Sequence, residues 1–369
     1  MQRAITLAAL GRFTTAPNPN VGAVVVRDGV IVGEGYHQQA GGPHAEVFAL
    51  RQAGELCRGA TCYVTLEPCS HYGRTPPCAL GLIEAGIVRV VVAMTDPNPV
   101  VAGRGIALLR AAGITVETGL LEAAAEALNP GFLTKMRTGR PFVRLKLAAS
   151  LDGAVALANG DSKWLTGAAA REDVQLFRAQ SCAVLSTAET VLQDHALLNV
   201  RSEHVTPRND GSLRQPLRVI LDSRGRLQGD EPIFSQAGDI LLIRQPGLAL
   251  LPLLSMRADE TACQVNYTEL GLDPQQRFAL IDILALLSAL AVHMLWVEAG
   301  GTLAGEFYRQ QLIDELVIYQ APMLLGVGSK PMLPIGPLHS LTDAPRWRWH
   351  DVTLIGDDLR LCARLKGPE

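Results

Sequence analysis

The chain is poor in charge and in aromatic side chains. Asp, Glu, Lys and Arg make up 19% of its 369 residues, and Phe, Trp and Tyr 5%. Net charge is −3, and no block of Lys or Arg stands out. Nucleic-acid binders carry a basic stripe that meets the phosphate backbone, so a nucleic-acid partner is disfavoured. Long apolar runs are missing as well. The richest, Ile281 to Val297, is interrupted by Asp282, Ser288 and His293. It falls short of the ~18 unbroken apolar residues a membrane span needs, and reads as a buried helix running into a strand. The opening Met1-Gln2-Arg3-Ala4-Ile5 has too little apolar length for a signal peptide. The cysteines number seven, an odd count at uneven spacing: Cys57, Cys62, Cys69, Cys78, Cys182, Cys263 and Cys362. That is no disulfide framework, and a cytoplasmic location is expected. There is no internal repeat and no low-complexity tract.

What is present is ample apolar content, 48%, and a length that suggests about two domains. The first half alternates strands and helices. Strands are expected over Val21 to Val26 and Val30 to Gly35, joined by an Asp28-Gly29 hairpin turn. Further strands are expected over Thr61 to Leu66, Val88 to Met94 and Ile114 to Glu117. Helices are expected over His44 to Ala53, Cys78 to Ala85, Arg104 to Ala111 and Glu122 to Leu128. The pattern predicts a sheet with helices on both faces. Asn129-Pro130-Gly131 reads as a stop and Thr138-Gly139-Arg140-Pro141 as a linker, which puts a domain boundary near Arg140. The second half opens on a strand, Phe142 to Ala148, and alternates again. Helices are expected over Ala168 to Ala179, Leu280 to Ala291 and Leu303 to Gln310. Strands are expected over Ala183 to Ser186, Leu217 to Leu221, Ile240 to Ile243, Met294 to Glu298 and Glu315 to Ala321. Arg201 to Gln215 is polar and reads as a mobile loop.

Chemistry concentrates in Pro43-His44-Ala45-Glu46, followed by Glu67-Pro68-Cys69 and Pro77-Cys78. One imidazole and two thiolates are three zinc ligands, and three ligands leave the fourth tetrahedral position for water. His-x-Glu with a later Pro-Cys and a second Cys is the signature of zinc-dependent nucleobase deaminases. His44 and Cys78 each begin a helix, where the dipole favours thiolate. Glu46 is placed to take a proton from the attacking water and return it to departing ammonia. The competing reading is a closed structural site with a fourth ligand, for which Cys62 or His71 is available. It leaves Glu46 without a role.

The second half has no Gly-x-Gly-x-x-Gly after its first strand, which argues against a Rossmann cofactor site. It does have Glu298-Ala299-Gly300-Gly301-Thr302-Leu303-Ala304-Gly305 between a strand and a helix. Glycines there let backbone N–H groups approach a pyrophosphate, although a Gly-Gly before a helix is also an ordinary turn.

The spacer between the cysteines narrows the reading. Cys69-Ser70-His71-Tyr72-Gly73-Arg74-Thr75-Pro76-Pro77-Cys78 resembles the bifunctional riboflavin-biosynthesis deaminase/reductase family. So do Thr14-Thr15-Ala16-Pro17-Asn18-Pro19-Asn20-Val21-Gly22, Asp96-Pro97-Asn98-Pro99, Val101-Ala102-Gly103-Arg104-Gly105, Leu145-Lys146-Leu147-Ala148-Ala149-Ser150-Leu151-Asp152-Gly153 and Trp296-Val297-Glu298-Ala299-Gly300-Gly301. The resemblance implies an α/β chain: a cytidine-deaminase-like α/β/α domain over 1–140 and a dihydrofolate-reductase-like α/β domain over 141–369. It implies zinc held by His44, Cys69 and Cys78, and Glu46 as the catalytic carboxylate. The substrate would be a 2,5-diamino-6-ribosylamino-pyrimidinone 5′-phosphate, contacted by Asn18, His37, His71 and Arg74.

In the reductase half the resemblance implies NADPH on Ala148, Trp164, Thr190, Asp194, Ser223 and the run Gly300, Gly301, Thr302, Leu303, Ala304, Gly305 and Glu306. Substrate would face Ser162, Arg178, Leu198, Arg201 and Glu298, with Lys146 and Glu298 the charged groups nearest the reacting centre. Read without it, Asn18 is a turn residue, Arg74 a solvated charge, Arg178 a helix-end cation, Trp164 core and Asp194 a turn cap. Arg224 and Arg226 are candidates for the NADPH 2′-phosphate. Three details depart from the family's usual pattern: Arg74 where Lys is common, Asp194-His195 where Asp-Pro is common, and a slightly shorter N-terminus. Relatives form dimers or tetramers, so a homo-oligomer is expected. Two other readings remain: a nucleoside or nucleic-acid deaminase with an unrelated C-terminal domain, and a zinc-stabilised binding protein.

Overall fold

A computed structural model of the chain describes residues 1–72, 76–99, 101–249, 251 and 263–365. The chain divides into two compact units, Met1–Arg140 with Thr206–Ser212, and Pro141–Val205 with Leu213–Glu369. Thr206–Ser212, expected within the second domain, therefore groups with the first.

The first unit runs α1 (Gln2–Ala8), β1 (Gly22–Arg27), β2 (Val30–Tyr36), α2 (Ala45–Ala53), β3 (Thr61–Leu66), α3 (Cys78–Glu84), β4 (Arg89–Met94), α4 (Arg104–Ala111), β5 (Thr115–Thr118), α5 (Glu122–Ala127) and α6 (Pro130–Thr138). Its sheet has the order β2-β1-β3-β4-β5. β1 pairs antiparallel with β2 and β3, while β3, β4 and β5 run parallel. Asp28 and Gly29 have φ of 50° and 78°, the conformation a tight hairpin needs to match strand twist. One face of the sheet packs on α2, α3 and α4 through Ala45, Ala49, Ala79, Leu82 and Leu109. The other carries α1 through Ala4 and Leu7, and α5 and α6 through Ala125 and Leu133. Val90 to Met94 are accordingly buried on both faces.

Two elements here differ from expectation. α1 is short and was not marked by any motif. Asn129-Pro130 does end α5, but it also starts α6, because Pro130 occupies the first helical position where its missing N–H costs nothing. Gly139, at φ 78°, ends that helix.

The second unit contains β6 (Phe142–Ser150), β7 (Ala154–Ala156), α7 (Ala168–Gln180), β8 (Ala183–Thr187), α8 (Ala188–Asp194), β9 (Leu217–Leu221), β10 (Ile240–Arg244), β11 (Val265–Glu269), α9 (Leu280–Ala289), β12 (Met294–Glu298), α10 (Gly301–Arg309), β13 (Glu315–Ala321), β14 (Lys330–Pro331), β15 (Trp347–Ile355) and β16 (Asp358–Leu365). The large sheet has nine strands in the order β11-β10-β9-β8-β12-β6-β13-β16-β15. From β11 to β13 all neighbours are parallel, and β16 and β15 close the edge as an antiparallel hairpin. Val143, Leu145, Leu147 and Ala149 of β6 meet α9 and α10 in one core, whereas the opposite face of the sheet packs on α7 and α8 through residues of other strands. The segment from Arg201 to Gln215 contains no helix or strand. It is nonetheless tied at one end, where Gln215 exchanges hydrogen bonds with the Val200 backbone.

β2 seats α2 on two glycines. A Cβ on Gly33 would lie 2.1 Å from the Ala49 carbonyl oxygen, and one on Gly35 2.4 Å from that of Ala45. Gly33→Ala is expected to destabilise the first unit by about 2–3 kcal/mol, the upper range of overpacking. Denaturant unfolding monitored within this unit checks it, and an unchanged midpoint contradicts the close seating.

Candidate active sites

In the first unit, two helix starts and one loop bring three donors together. His44 is the residue immediately before α2, Cys78 is the first residue of α3, and Cys69 lies just beyond β3. Their ligand atoms all fall within 4.8 Å of one another. His44 Nδ1 is 3.6 Å from Cys69 Sγ and 3.3 Å from Cys78 Sγ. Two tetrahedral ligands at ordinary Zn–N and Zn–S lengths are about 3.6 Å apart, so the group fits zinc. No fourth His, Cys, Asp or Glu among the described residues joins it. Cys62 packs in the core of the sheet, where burial pushes its thiol far up, and His71 is exposed. The closed four-ligand reading therefore loses both of its candidates.

Electrostatics prepare the thiols. The Cys78 thiol and backbone N–H and the His44 ring all favour thiolate at Cys69, and together they outweigh burial to hold it near 4. Cys78 is pushed up, chiefly by its bond to that thiolate and by burial. Glu46, 3% exposed on the first turn of α2, lies within hydrogen-bond reach of Cys78. Burial pushes its carboxyl up to about 7, against the pull of His44.

His37 stands beside the donors, its ring edge-on to that of His44 with centroids 5.7 Å apart. Its Nδ1 donates to the Pro43 carbonyl at 2.9 Å, which leaves Nε2 to accept from Asn18 Nδ2 at 3.1 Å. Burial lowers its pKa and keeps the ring neutral. Asn18 and His37 thus face the metal group as a connected pair. Arg74 lies outside the described residues.

In the second unit charged groups gather around the C-terminal end of β12. Lys146 and Glu298 are register partners across β6 and β12. Arg178, near the end of α7, donates to both Glu298 oxygens, at 2.5 and 3.0 Å, and to the Asn199 carbonyl. Trp296 Nε1 gives Glu298 a further bond at 2.8 Å. Burial works against the charged carboxylate, but Arg178, Lys146 and Trp296 outweigh it and hold Glu298 at about 2. Lys146 is lowered by burial, partly countered by Glu298. Arg201 is lowered by burial and by the Arg178 charge. Three cations around one carboxylate make a site that attracts anions.

Residues 141–361 match the RibD C-terminal domain family, and residues 1–94 the cytidine and deoxycytidylate deaminase zinc-binding region. The riboflavin biosynthesis protein RibD of Haemophilus influenzae is 48% identical, over 100% of this chain and 97% of its own length. The Escherichia coli protein is 47% identical, over 100% and 98%. Among solved structures, Acinetobacter baumannii RibD superposes with a TM-score of 0.87 at 44% identity, covering 99% of this chain and 98% of its own. A deaminase/reductase from Thermotoga maritima gives 0.84 at 35%, covering 99% and 97%.

The chain belongs to the RibD family. It is an enzyme of riboflavin biosynthesis with two activities, a deaminase and a reductase acting on small molecules. The two domains imply zinc and a nicotinamide cofactor. The C-terminal domain is thus the family's own, and not an unrelated module beside a nucleoside or nucleic-acid deaminase.

The other expected site residues lie in varied settings. Ala148 lies in the last third of β6, and Thr190 on α8 and Ser223 lie just beyond the C-terminal ends of β8 and β9, the side on which α/β sheets bind ligands. Gly300 precedes α10 without a side-chain cap, and the first intrahelical bond runs from Ala304 N–H to its carbonyl. The N–H groups of Gly301, Thr302 and Leu303 therefore point out of the helix start. Ala304 and Glu306 do not fit the expected run. Ala304 is buried in the core, and the Glu306 carboxylate is taken by Arg277 and Arg309, because a helix cannot turn seven consecutive side chains to one ligand. Leu198 likewise packs in the core under α7 and does not face the site.

Trp164 is 69% exposed and stacks on Arg171, contrary to its reading as core. Ser162 is exposed. Asp194 ends α8 and pairs with Lys163 at 3.6 Å, and His195 follows at φ 48°, a conformation closed to proline. Arg224 and Arg226 are both exposed, and Arg226 is tied to Glu189 at 2.5 Å. Sequence reasoning assigned no role to Asn20 and Asn129, which bond reciprocally through backbone and side chain and hold the loop bearing Asn18. The doubled Asn in Asn18-Pro19-Asn20 was the only signal.

The stability that Glu298 draws from its ionisation is whole above about pH 4.5 and is lost as pH falls toward about 2. Glu298→Gln is expected to flatten that stretch of a plot of unfolding free energy against pH. Arg178→Met, which strands the buried carboxylate, is expected to cost about 3–5 kcal/mol at neutral pH. Equal stability of the Met variant and the parent would refute the pairing.

Proposed function

We propose that the first unit hydrolyses the ring amino group of 2,5-diamino-6-ribosylamino-pyrimidinone 5′-phosphate. The second unit then reduces the ribosyl group of 5-amino-6-(5-phosphoribosylamino)uracil to ribitylamino with NADPH. The reading is carried by one observation, the convergence of His44 Nδ1 and the Cys69 and Cys78 sulfurs beside Glu46. Zinc, when bound by those three side chains, supplies Lewis-acid activation of water near neutral pH. Glu46 takes the proton of the attacking water and hands it to the nitrogen that leaves as ammonia. Asn18 and His37 orient the pyrimidine, and Arg74 meets the phosphate through its guanidinium fork.

In the second unit NADPH, when bound, supplies a hydride to C1 of the opened ribosyl group, and one proton must accompany it. Glu298 is held as carboxylate and has no proton to give at neutral pH. Lys146, its strand neighbour, therefore handles that proton, while Glu298 fixes Arg178 against the substrate. Arg201 joins them in attracting the phosphorylated substrate. The helix start at Gly300 to Leu303 receives the pyrophosphate. Arg224 takes the 2′-phosphate.

The expected signature is a double dissociation. Glu46→Gln should lose at least ~100-fold of its ammonia release, retain zinc, and still reduce the deaminated substrate. Lys146→Ala should do the reverse. Ammonia release by the Gln variant at the parent rate would sink the deaminase mechanism. Parental NADPH oxidation by the Ala variant would remove Lys146.

None of the seven cysteines is in a disulfide, which suits a reducing compartment and supports the reading of a cytoplasmic enzyme. No helix among the described residues is long and apolar enough to cross a membrane. The edge strand β15 exposes Trp349, Val352 and Leu354 beside Leu365 of β16. An apolar edge invites pairing with another chain, and a second copy covering it makes a homo-oligomer, a dimer or a tetramer. Leu354→Arg is expected to lower the mass seen in sedimentation; a parental mass would exclude this edge as the interface.

A further inference from the structure

Glu67 is used by none of the steps above, yet it is one of the best-fixed side chains in the first unit. It follows β3 directly, its own N–H bonds the Met94 carbonyl at the end of β4, and it is 4% exposed. Its carboxylate accepts four backbone N–H groups. One oxygen takes Gly105 at 2.9 Å and Ile106 at 3.2 Å; the other takes Asp96 at 3.1 Å and Gly103 at 3.0 Å. Gly105 and Ile106 belong to the first turn of α4, which is preceded by Gly103 in the left-handed region at φ 77° and so lacks a side-chain cap. Glu67 thus caps α4 from just beyond β3 and offers negative charge where the helix dipole is positive. The fit leaves no slack on the other side. A Cβ on Gly105 would lie 1.9 Å from the Pro68 carbonyl oxygen.

Cys69 is the second residue after Glu67, and it is held at its far side too. Its carbonyl accepts the Ala79 N–H, and its sulfur the Cys78 N–H, both at 3.2 Å. The loop that presents Cys69 is therefore stretched between the start of α4 and the start of α3. We infer that Glu67 is a positioning residue of the metal centre: by binding the first turn of α4 and the loop before it, it fixes the Cys69 sulfur at coordination distance from His44 and Cys78. The inference rests on the reading of those three residues as zinc ligands.

The test uses the full chain. In the unmodified protein, Co(II) substitution should give thiolate-to-metal absorption; if neither zinc nor Co(II) binds, the metal reading fails, independently of Glu67. Glu67→Gln keeps the shape but turns an amide N–H₂ toward N–H donors. It should weaken zinc, by competition with a chromophoric chelator, by about 10- to 100-fold, the range for groups that orient metal ligands. It should also shift the Co(II) bands. Glu67→Asp, which keeps the charge and is one methylene shorter, should fall between the two. A helix cap with no hold on Cys69 would lower the melting temperature of the zinc-free protein and leave the Co(II) spectrum of folded molecules unchanged. Parental affinity and spectrum in a folded Gln or Asp variant overturn the inference. Should neither variant fold, hydrogen exchange on the parent decides. Linkage requires zinc removal to speed exchange at the Gly103, Gly105 and Ile106 amides, and unaltered exchange there overturns it.

Discussion

A carboxylate taken out of water must be given partners in exchange, and the organisation of this molecule follows from how each buried carboxylate is satisfied. Glu298 is given an Arg fork, an indole N–H and a nearby ammonium, so it stays charged and holds its neighbours in place. Glu67 is given only backbone amides, and in return it fixes a helix and a loop. Glu46 is given less, a ring on the same helix start and a thiol, and its affinity for a proton rises until it can both accept and donate. One side-chain chemistry thus supplies three behaviours, and the surroundings decide which. The reverse case is Arg218, fully buried, whose two terminal nitrogens donate to the carbonyls of Leu197, Ile233, Gln236 and Gly238 and tie four backbone positions together, while its Nε is left without a partner among the described residues.

Both sites use the same end of parallel strands. β3 delivers Cys69 just past its C-terminal end, and α2 and α3 turn their starts, with His44 and Cys78, toward the same space. In the second unit β12 ends at Glu298, beside its register partner Lys146 in the middle of β6, and α10 starts a few residues later. Parallel sheets force a crossover helix after each strand, so strand ends and helix starts accumulate on one edge. That edge gathers outward-pointing N–H groups and positive dipole ends, which suits thiolates, pyrophosphate and phosphorylated substrates.

Much of the first site was legible because its donors sit in short local motifs. His44 and Glu46 are two residues apart, and Pro77-Cys78 opens a helix whose start the proline marks. The hairpin at Asp28-Gly29 and the strands Thr61–Leu66, Leu217–Leu221, Met294–Glu298 and Glu315–Ala321 were equally plain, since burial on both faces leaves unbroken apolar runs. β15 and β16 were not. They lie at the antiparallel edge, where charged and apolar residues mix, and Arg360 and Arg364 are accommodated by Asp351 of β15 itself and by Asp173 and Glu315 from elsewhere in the fold. α6 was read as a break because Asn129-Pro130 stops one helix and starts another with the same residues.

By itself the amino-acid sequence determined which side chains could hold a metal, which carboxylate stood beside them, and where strands and helices alternate. These depend on residue type and on neighbours close along the chain. Only the tertiary structure decided that Cys62 and His71 stay out of the metal group, that Ala304 and Leu198 turn into the core, and that Glu298 is locked to Arg178. Those outcomes depend on groups brought together from distant parts of the chain, and on the loss of water between them, which no local spacing records.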